Sequence, residues 1–196
     1  MSGDHPSSTI SARVRHVEAL LERRGLLDDG EVDARIDALL AGGSPVNGAR
    51  IAARAWVDPG FAARLLADAG TAIRELGLSM AGGLQEQRLK VLANTDDEHH
   101  VVVCTLCSCY PIALLGPSPS WYKSEAYRSR VVRDPRGVLR EFGLELPDRM
   151  RISVWDASAE SRYLVVPRRP DGTEGLGEAQ LAALVTRNGL IGTAAV

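Results

Sequence analysis

Apolar residues recur at helical spacing through the first third of the chain. Val14, Val17, Leu20 and Leu21 share one face across residues 11–24, and Gly25 supplies a stop. Residues 30–41 repeat the pattern with Val32, Ile36, Leu39 and Leu40 before Gly42-Gly43. A polar turn, residues 44–48, precedes a helix over 49–57. Asp58-Pro59 then reads as an acidic cap followed by Pro in the first turn. From there Phe61, Leu65, Ala69, Ile73 and Leu76 predict one helix ending at Gly77. Beyond a loop over 79–87 the period changes. Leu89–Ala93, Val101–Val103, Arg151–Trp155 and Arg162–Val166 read as strands. Residues 94–100 form a polar turn that includes His99 and His100, and residues 110–120, with three prolines, form an ordered loop. Helices are expected from Ser120 to Arg130, over 134–142 and over 177–187, with an apolar tail after the last. The class is α+β: an N-terminal helical arm over residues 1–78, then a layered α/β core over 79–196. The arm packs either on a partner or as a helical subdomain of the same globule.

With 196 residues, 45% of them hydrophobic, the chain fits one domain, or one core with an appendage. A net charge of −2 argues against a general nucleic-acid binder. Among 23 basic residues only Lys90 and Lys123 are lysines, a bias that reflects a GC-rich genome more than a biochemical role. No basic region leads into an apolar stretch at the N-terminus, and no run approaches a membrane span. The expectation is a cytoplasmic chain with no membrane contact, where thiols stay reduced unless a site controls them. All three cysteines fall between Cys104 and Cys109. An odd, clustered set argues against a disulfide scaffold.

The cluster reads Cys104-Thr105-Leu106-Cys107-Ser108-Cys109. Three chemistries fit three thiols. A structural zinc site needs four ligands, commonly from two separated pairs, and no second pair exists. A redox pair has its spacing in Cys104 and Cys107, but prolines follow where a helix is usual. The third chemistry uses the backbone. If Cys107 and Cys109 both bind one ion, the amide nitrogens of Ser108 and Cys109 are drawn to it through five- and six-membered chelate rings. Two sulfurs and two amides make a square plane, Cys104 reaches an axial position, and the sixth position stays open. Such strong-field donors favour a low-spin trivalent ion, and the open position is a Lewis-acid site.

This hexapeptide resembles the metal claw of the nitrile hydratase α subunit, and Thr105 with Tyr110 resembles the cobalt branch of that family. Ala55–Pro59, Trp121–Ser124, Arg130–Arg136, Ala159–Tyr163 and Arg169–Gly175 resemble family segments in the same order, so the likeness covers roughly residues 12–192. It implies hydration of a nitrile to its carboxamide at a Co(III) centre, with Fe(III) as the alternative metal. Cys104, Cys107 and Cys109 match the sulfur ligands, with amide nitrogens from Ser108 and Cys109. Cys107 matches a residue that becomes a sulfinic acid and Cys109 one that becomes a sulfenic acid. The nucleophile is either that sulfenate or a water it activates. Gln85, Asp156, Glu160 and Arg162 match polar residues that influence turnover and site integrity. A β-type subunit is expected to supply arginines to the oxidised cysteines, and a cobalt-insertion activator protein to load the site.

The sequence also departs from the family. Ile112 stands where a tryptophan usually lines the substrate pocket, and Ala113-Leu114 replace a Pro-Val pair. A pocket without that indole suits a larger heteroaromatic nitrile, a deazapurine nitrile among them. Gln85 lies in Gln-Glu-Gln where many relatives have Gln-Gly-Glu. Read without the family, Asp156 and Glu160 are a strand end and a turn, and Arg162 is an interface salt bridge. Trp121 and Tyr122 read as core. Tyr110 is a candidate pocket hydroxyl, and Ser108 a hydroxyl for an oxidised cysteine. His99 and His100 read as a solvated pair rather than ligands. Two other functions remain open: the metal-bearing subunit of a thiocyanate hydrolase, which shares the claw, and a non-catalytic zinc or redox thiol module.

Overall fold

The computed structural model describes residues 8–80 and 87–196, the side chain at position 39 excepted. The chain divides into two compact units, one ending at Ala41 and the other running Gly42–Val196. The first holds α1 (Ser8–Arg23) and α2 (Asp29–Gly42). Their apolar positions keep the expected helical period, yet α1 buries no residue and every described side chain of α2 is exposed.

The second unit begins at Gly42, the last residue of α2, whereas the helical pattern places the boundary after residue 78. The reason is burial. The helices α3 (Pro45–Val57), α4 (Pro59–Ala67) and α5 (Ala69–Arg74) bury Ile51, Ala52, Phe61, Leu65 and Ile73 in the same core as the strands. Each of the large side chains among them, Ile51, Phe61, Leu65 and Ile73, contributes about 1.5–3 kcal/mol, which ties these helices to the core. The expected turn at 44–48 is the first turn of α3. Ser44 accepts from the Val46 N–H at 3.2 Å and Pro45 occupies the first helical position.

The strands are β1 (Arg88–Ala93), β2 (Glu98–Val103), β3 (Arg151–Asp156) and β4 (Ser161–Val166). They form two parallel pairs, β1 with β4 and β2 with β3. Five of the six residues in β2 and in β4 are buried, whereas β1 alternates and β3 is mostly half-buried. Continuous burial marks the inner strands of parallel structure, and β2 and β4 pack against each other. Strand β2 begins at Glu98, so His99 and His100 lie in the core, 6% and 8% exposed, and not in a solvated turn. His99 Nε2–H donates to the Gly192 carbonyl at 2.7 Å. Trp155 Nε1–H donates to His100 Nδ1 at 3.1 Å. Gly192 has φ +89°, and a Cβ there would lie 1.9 Å from the His100 carbonyl oxygen. Only glycine permits both that backbone and that approach.

The remaining helices are short: α6 (Ile112–Leu115), α7 (Ser120–Lys123), α8 (Glu125–Val131), α9 (Pro135–Glu141), α10 (Glu178–Leu184) and α11 (Arg187–Ile191). The expected loop at 110–120 contains α6, and the expected tail contains α11. No described helix is long and apolar enough to cross a membrane.

Candidate metal centre

Strands β2 and β3 run parallel and end together, with Val103 opposite Asp156. The Ala157 N–H donates to the Val103 carbonyl at 2.7 Å and closes that end of the ladder. Cys104 follows at once, so the cysteine loop sits at the carboxyl end of a parallel pair, where open α/β sheets commonly place ligands. Asp156 is the last residue of β3. Its carboxylate accepts from the Thr105 N–H at 2.9 Å and from the Thr105 hydroxyl. Asp156 therefore holds the first half of the loop.

The three sulfurs converge. Cys104 Sγ lies 3.0 Å from Cys107 Sγ, which lies 3.1 Å from Cys109 Sγ, and all three fall within 4.8 Å of one another. With metal–sulfur bonds of about 2.3 Å, right-angled thiolates stand about 3.2 Å apart and tetrahedral ones about 3.8 Å. The observed spacing suits the right-angled arrangement. The Ser108 and Cys109 backbone N–H groups belong to the next residues along the loop and help lower the Cys107 thiol. Hydrogen bonds from Cys104 and Cys109, then from these amides, bring the Cys107 thiol down to about 7. Burial, and after it the shared hydrogen bond with Cys107, pushes Cys109 up to about 12, partly offset by the Arg162 charge. Cys104 is buried, Cys109 half-buried and Cys107 exposed.

A set of backbone carbonyls around the loop is gripped from one stretch of chain. Tyr127 Oη donates to the Val102 carbonyl at 2.7 Å, and Tyr122 Oη to the Cys109 carbonyl at 2.9 Å. Arg128 Nη1 donates to the Thr105 carbonyl at 3.4 Å. Tyr122 is core, as its sequence context implies, but its hydroxyl also fixes the end of the claw. Tyr127 and Arg128 escaped sequence reasoning. Their partners lie 25 and 23 residues away, and no local spacing encodes that.

Arg162, on β4, is buried. Its Nη1 donates to the carbonyls of Ser158 and Ala159 in the turn after β3 and of Ser161 at the start of β4. Glu160 is exposed, and its carbonyl accepts from the Arg88 N–H at 3.2 Å, extending the β1–β4 ladder. Tyr110 is buried against Tyr122, ring centroids 5.1 Å apart. Burial pushes its phenol well above the usual value, so it is a neutral donor. Ser108 is exposed on the claw's outer face. Gln85 lies outside the described residues. Among the described residues, the buried side-chain polar atoms without a partner are Tyr110 Oη, Arg128 Nε and Arg162 Nε. Leaving such a group unpaired costs about 1–3 kcal/mol. All three belong to residues that adjoin the claw, follow it directly or bias its charge. The converging thiols and these waiting donors fit an anionic metal centre.

Comparison with known proteins gives the same assignment. The family described as nitrile hydratase, alpha chain, matches residues 8–194. The α subunit of a low-molecular-weight cobalt-containing nitrile hydratase from Rhodococcus rhodochrous is 52% identical over 183 residues, 93% of this chain and 87% of the relative. A double histidine mutant of the Fe-type nitrile hydratase from Comamonas testosteroni Ni1 superposes with a TM-score of 0.87 at 42% identity, covering 97% of this chain and 92% of the other. A recombinant thiocyanate hydrolase with partially modified cobalt centres superposes with a TM-score of 0.86 at 40% identity, covering 96% of this chain and 90% of the other. With a family match that spans nearly the whole chain and the claw in place at the end of β2, this chain belongs to the nitrile hydratase α-chain family.

Proposed function

We infer that this chain is the metal-bearing subunit of a cobalt-type nitrile hydratase, adding water across the C≡N bond of a nitrile to give the carboxamide. One observation carries the reading: three sulfurs within six residues converge, with neighbouring pairs at right-angled spacing. Cys104, Cys107 and Cys109 would hold the ion, with the amide nitrogens of Ser108 and Cys109. When bound, a low-spin Co(III) supplies a Lewis acid that polarises the nitrile. Relatives named as cobalt-containing support cobalt over iron.

The chain's own groups then have separate tasks. Asp156 and Tyr122 keep the two ends of the loop in place. Arg162 biases Cys109 toward its anion. Tyr110, held neutral, offers a proton but does not act as a base. On the outer face Leu106 is 91% exposed, beside exposed Cys107 and Ser108. Half of the site is therefore uncovered in this chain, which supports a β-type subunit that closes it and brings arginines to the oxidised sulfurs. Ile112, half-buried at the start of α6, supports a pocket roomy enough for a heteroaromatic nitrile of the deazapurine class.

The test is coexpression with the partner subunit, cobalt and the activator protein. Cobalt should reach about one ion per claw, and the claw peptide should gain about three oxygens, about 48 Da, across Cys107 and Cys109. The complex should convert a heteroaromatic nitrile to its amide far faster than it consumes thiocyanate. Preference for thiocyanate assigns the chain to the thiocyanate hydrolases instead, and zinc released from a colourless protein assigns it to a thiol module.

A further inference from the structure

Tyr127, Arg128 and Tyr122 grip the carbonyls of Val102, Thr105 and Cys109. These positions lie before, within and at the end of the claw. The two tyrosines are neutral and their hydroxyls are satisfied. Arg128 differs on three counts. It is charged, it holds a residue between two sulfur ligands, and its Nε–H is buried with no acceptor. Buried donors without an acceptor are rare in folded proteins, so this one points to an acceptor that completes the site.

Thr105 shows what the grip does. Asp156 at the end of β3 takes its N–H and its hydroxyl, and Arg128 from α8 takes its carbonyl. The peptide units on both sides of Thr105 are thereby fixed from two different elements. Helix α8 is itself anchored beside the claw by Tyr127, whose hydroxyl bonds β2 one residue before its end. Arg128 therefore acts from a fixed base. The charge balance completes the argument. Three thiolates and two deprotonated amides outweigh a trivalent ion, so a loaded claw is anionic. A half-buried anion needs charge-assisted donors.

We propose that Arg128 is a positioning residue of the metal centre, clamping Thr105 through its carbonyl and keeping a spare buried N–H for an acceptor of the loaded centre. The clamp rests on the cobalt reading above. It assigns to this chain a cation for the centre, in addition to any the partner subunit brings. A guanidinium can serve a carbonyl and a second acceptor at once through its rigid fork, which a lysine ammonium cannot reproduce.

Wild type, Arg128→Lys and Arg128→Met chains, each assembled with the partner subunit and loaded with cobalt, test this. The readouts are cobalt per claw, the energy of the sulfur-to-cobalt charge-transfer band, and the rate of cobalt loss to a chelator. Arg128→Met should lose cobalt about tenfold faster or more, with a displaced band, and Arg128→Lys should fall between it and wild type. Variants that match wild type in rate and band energy overturn the clamp. If Arg128→Met fails to assemble, Arg128→Lys decides alone: faster loss with a shifted band supports the clamp, and wild-type behaviour overturns it. A wild-type complex that takes up no cobalt overturns the metal reading and the clamp with it, whereas a loaded wild type with unchanged variants overturns the clamp alone.

Discussion

Thr105 is the residue on which the claw's geometry turns. Its N–H and hydroxyl both end on Asp156. In Asp156→Ala neither has that acceptor, and a lost bond to a charged group is worth about 1.5–3 kcal/mol, less where water can substitute. The strand ladder does not depend on that side chain, because Ala157 N–H and the Val103 carbonyl close it. Asp156→Ala should therefore raise amide hydrogen exchange at residues 105–109 at least several-fold and leave β2 and β3 unchanged. Equal exchange in the claw of both proteins would show that the carboxylate holds nothing there. Three cysteines at this spacing were readable as a claw because the chelate rings are local chemistry. The carbonyl grips of Tyr122, Tyr127 and Arg128 were not readable, because each joins residues 13 to 25 positions apart. Asp156 entered the sequence reading only through its family likeness, and its partner Thr105 is set by parallel register.

Strand β2 carries a pH dependence of its own. Burial is the first cause that lowers both His99 and His100 below the usual imidazole value. The hydrogen bonds explain why a second proton is unwelcome. Each Nδ1 faces a donor, the Asn94 side-chain amide for His99 and the Trp155 indole for His100. A proton there replaces an attraction by a repulsion, though Glu98 beside His100 opposes the effect. The folded chain then binds fewer protons than the unfolded one below about pH 6.5. Stability contributed by the neutral rings is complete above that pH and is lost as pH falls toward the folded values. Glu98, whose bonds to Ser153 and Arg151 lower it, loses its own contribution only below about pH 4.5. The urea midpoint should fall between pH 7 and pH 5, and His99→Gln should flatten the slope. A midpoint constant over that range would contradict the assignment. The pattern of elements was otherwise legible except where a capping side chain interrupts a periodic run. Asp68 ends α4 and caps α5, Ser124 caps α8, and Thr186 caps α11. Apolar periodicity passes through each such residue unbroken. The break becomes visible only when the side-chain oxygen is seen taking an N–H two or three residues ahead.

At the scale of the molecule, the first unit stands apart energetically. Isolated helices of 16 and 14 residues are marginal in water, so α1 and α2 need apolar burial to persist. None of their described side chains is buried. Val14, Val17 and Ile36 stay about half exposed, and Leu26 is 71% exposed. The sequence shows the apolar face but not what covers it, since the same periodicity in α3 and α4 leads into this chain's own core. Leu106, on the exposed face of the claw, is likewise uncovered within this chain. If the partner subunit supplies the burial, residues 8–41 should exchange their amide hydrogens freely in the isolated chain and become protected in the assembled complex. Protection of residues 8–41 already in the isolated chain would show that these helices are stable without it. A burial-directed substitution separates association from folding. Val17→Asp removes about 1.5–3 kcal/mol of transferable apolar contact and adds a charge, enough to weaken assembly about tenfold or more. Because no residue of α1 contributes to the core built on Ile51, Phe61, Val101 and Leu164, the unfolding midpoint of the isolated chain should not move. A matched loss of stability and assembly would instead place Val17 in the folding of the chain itself.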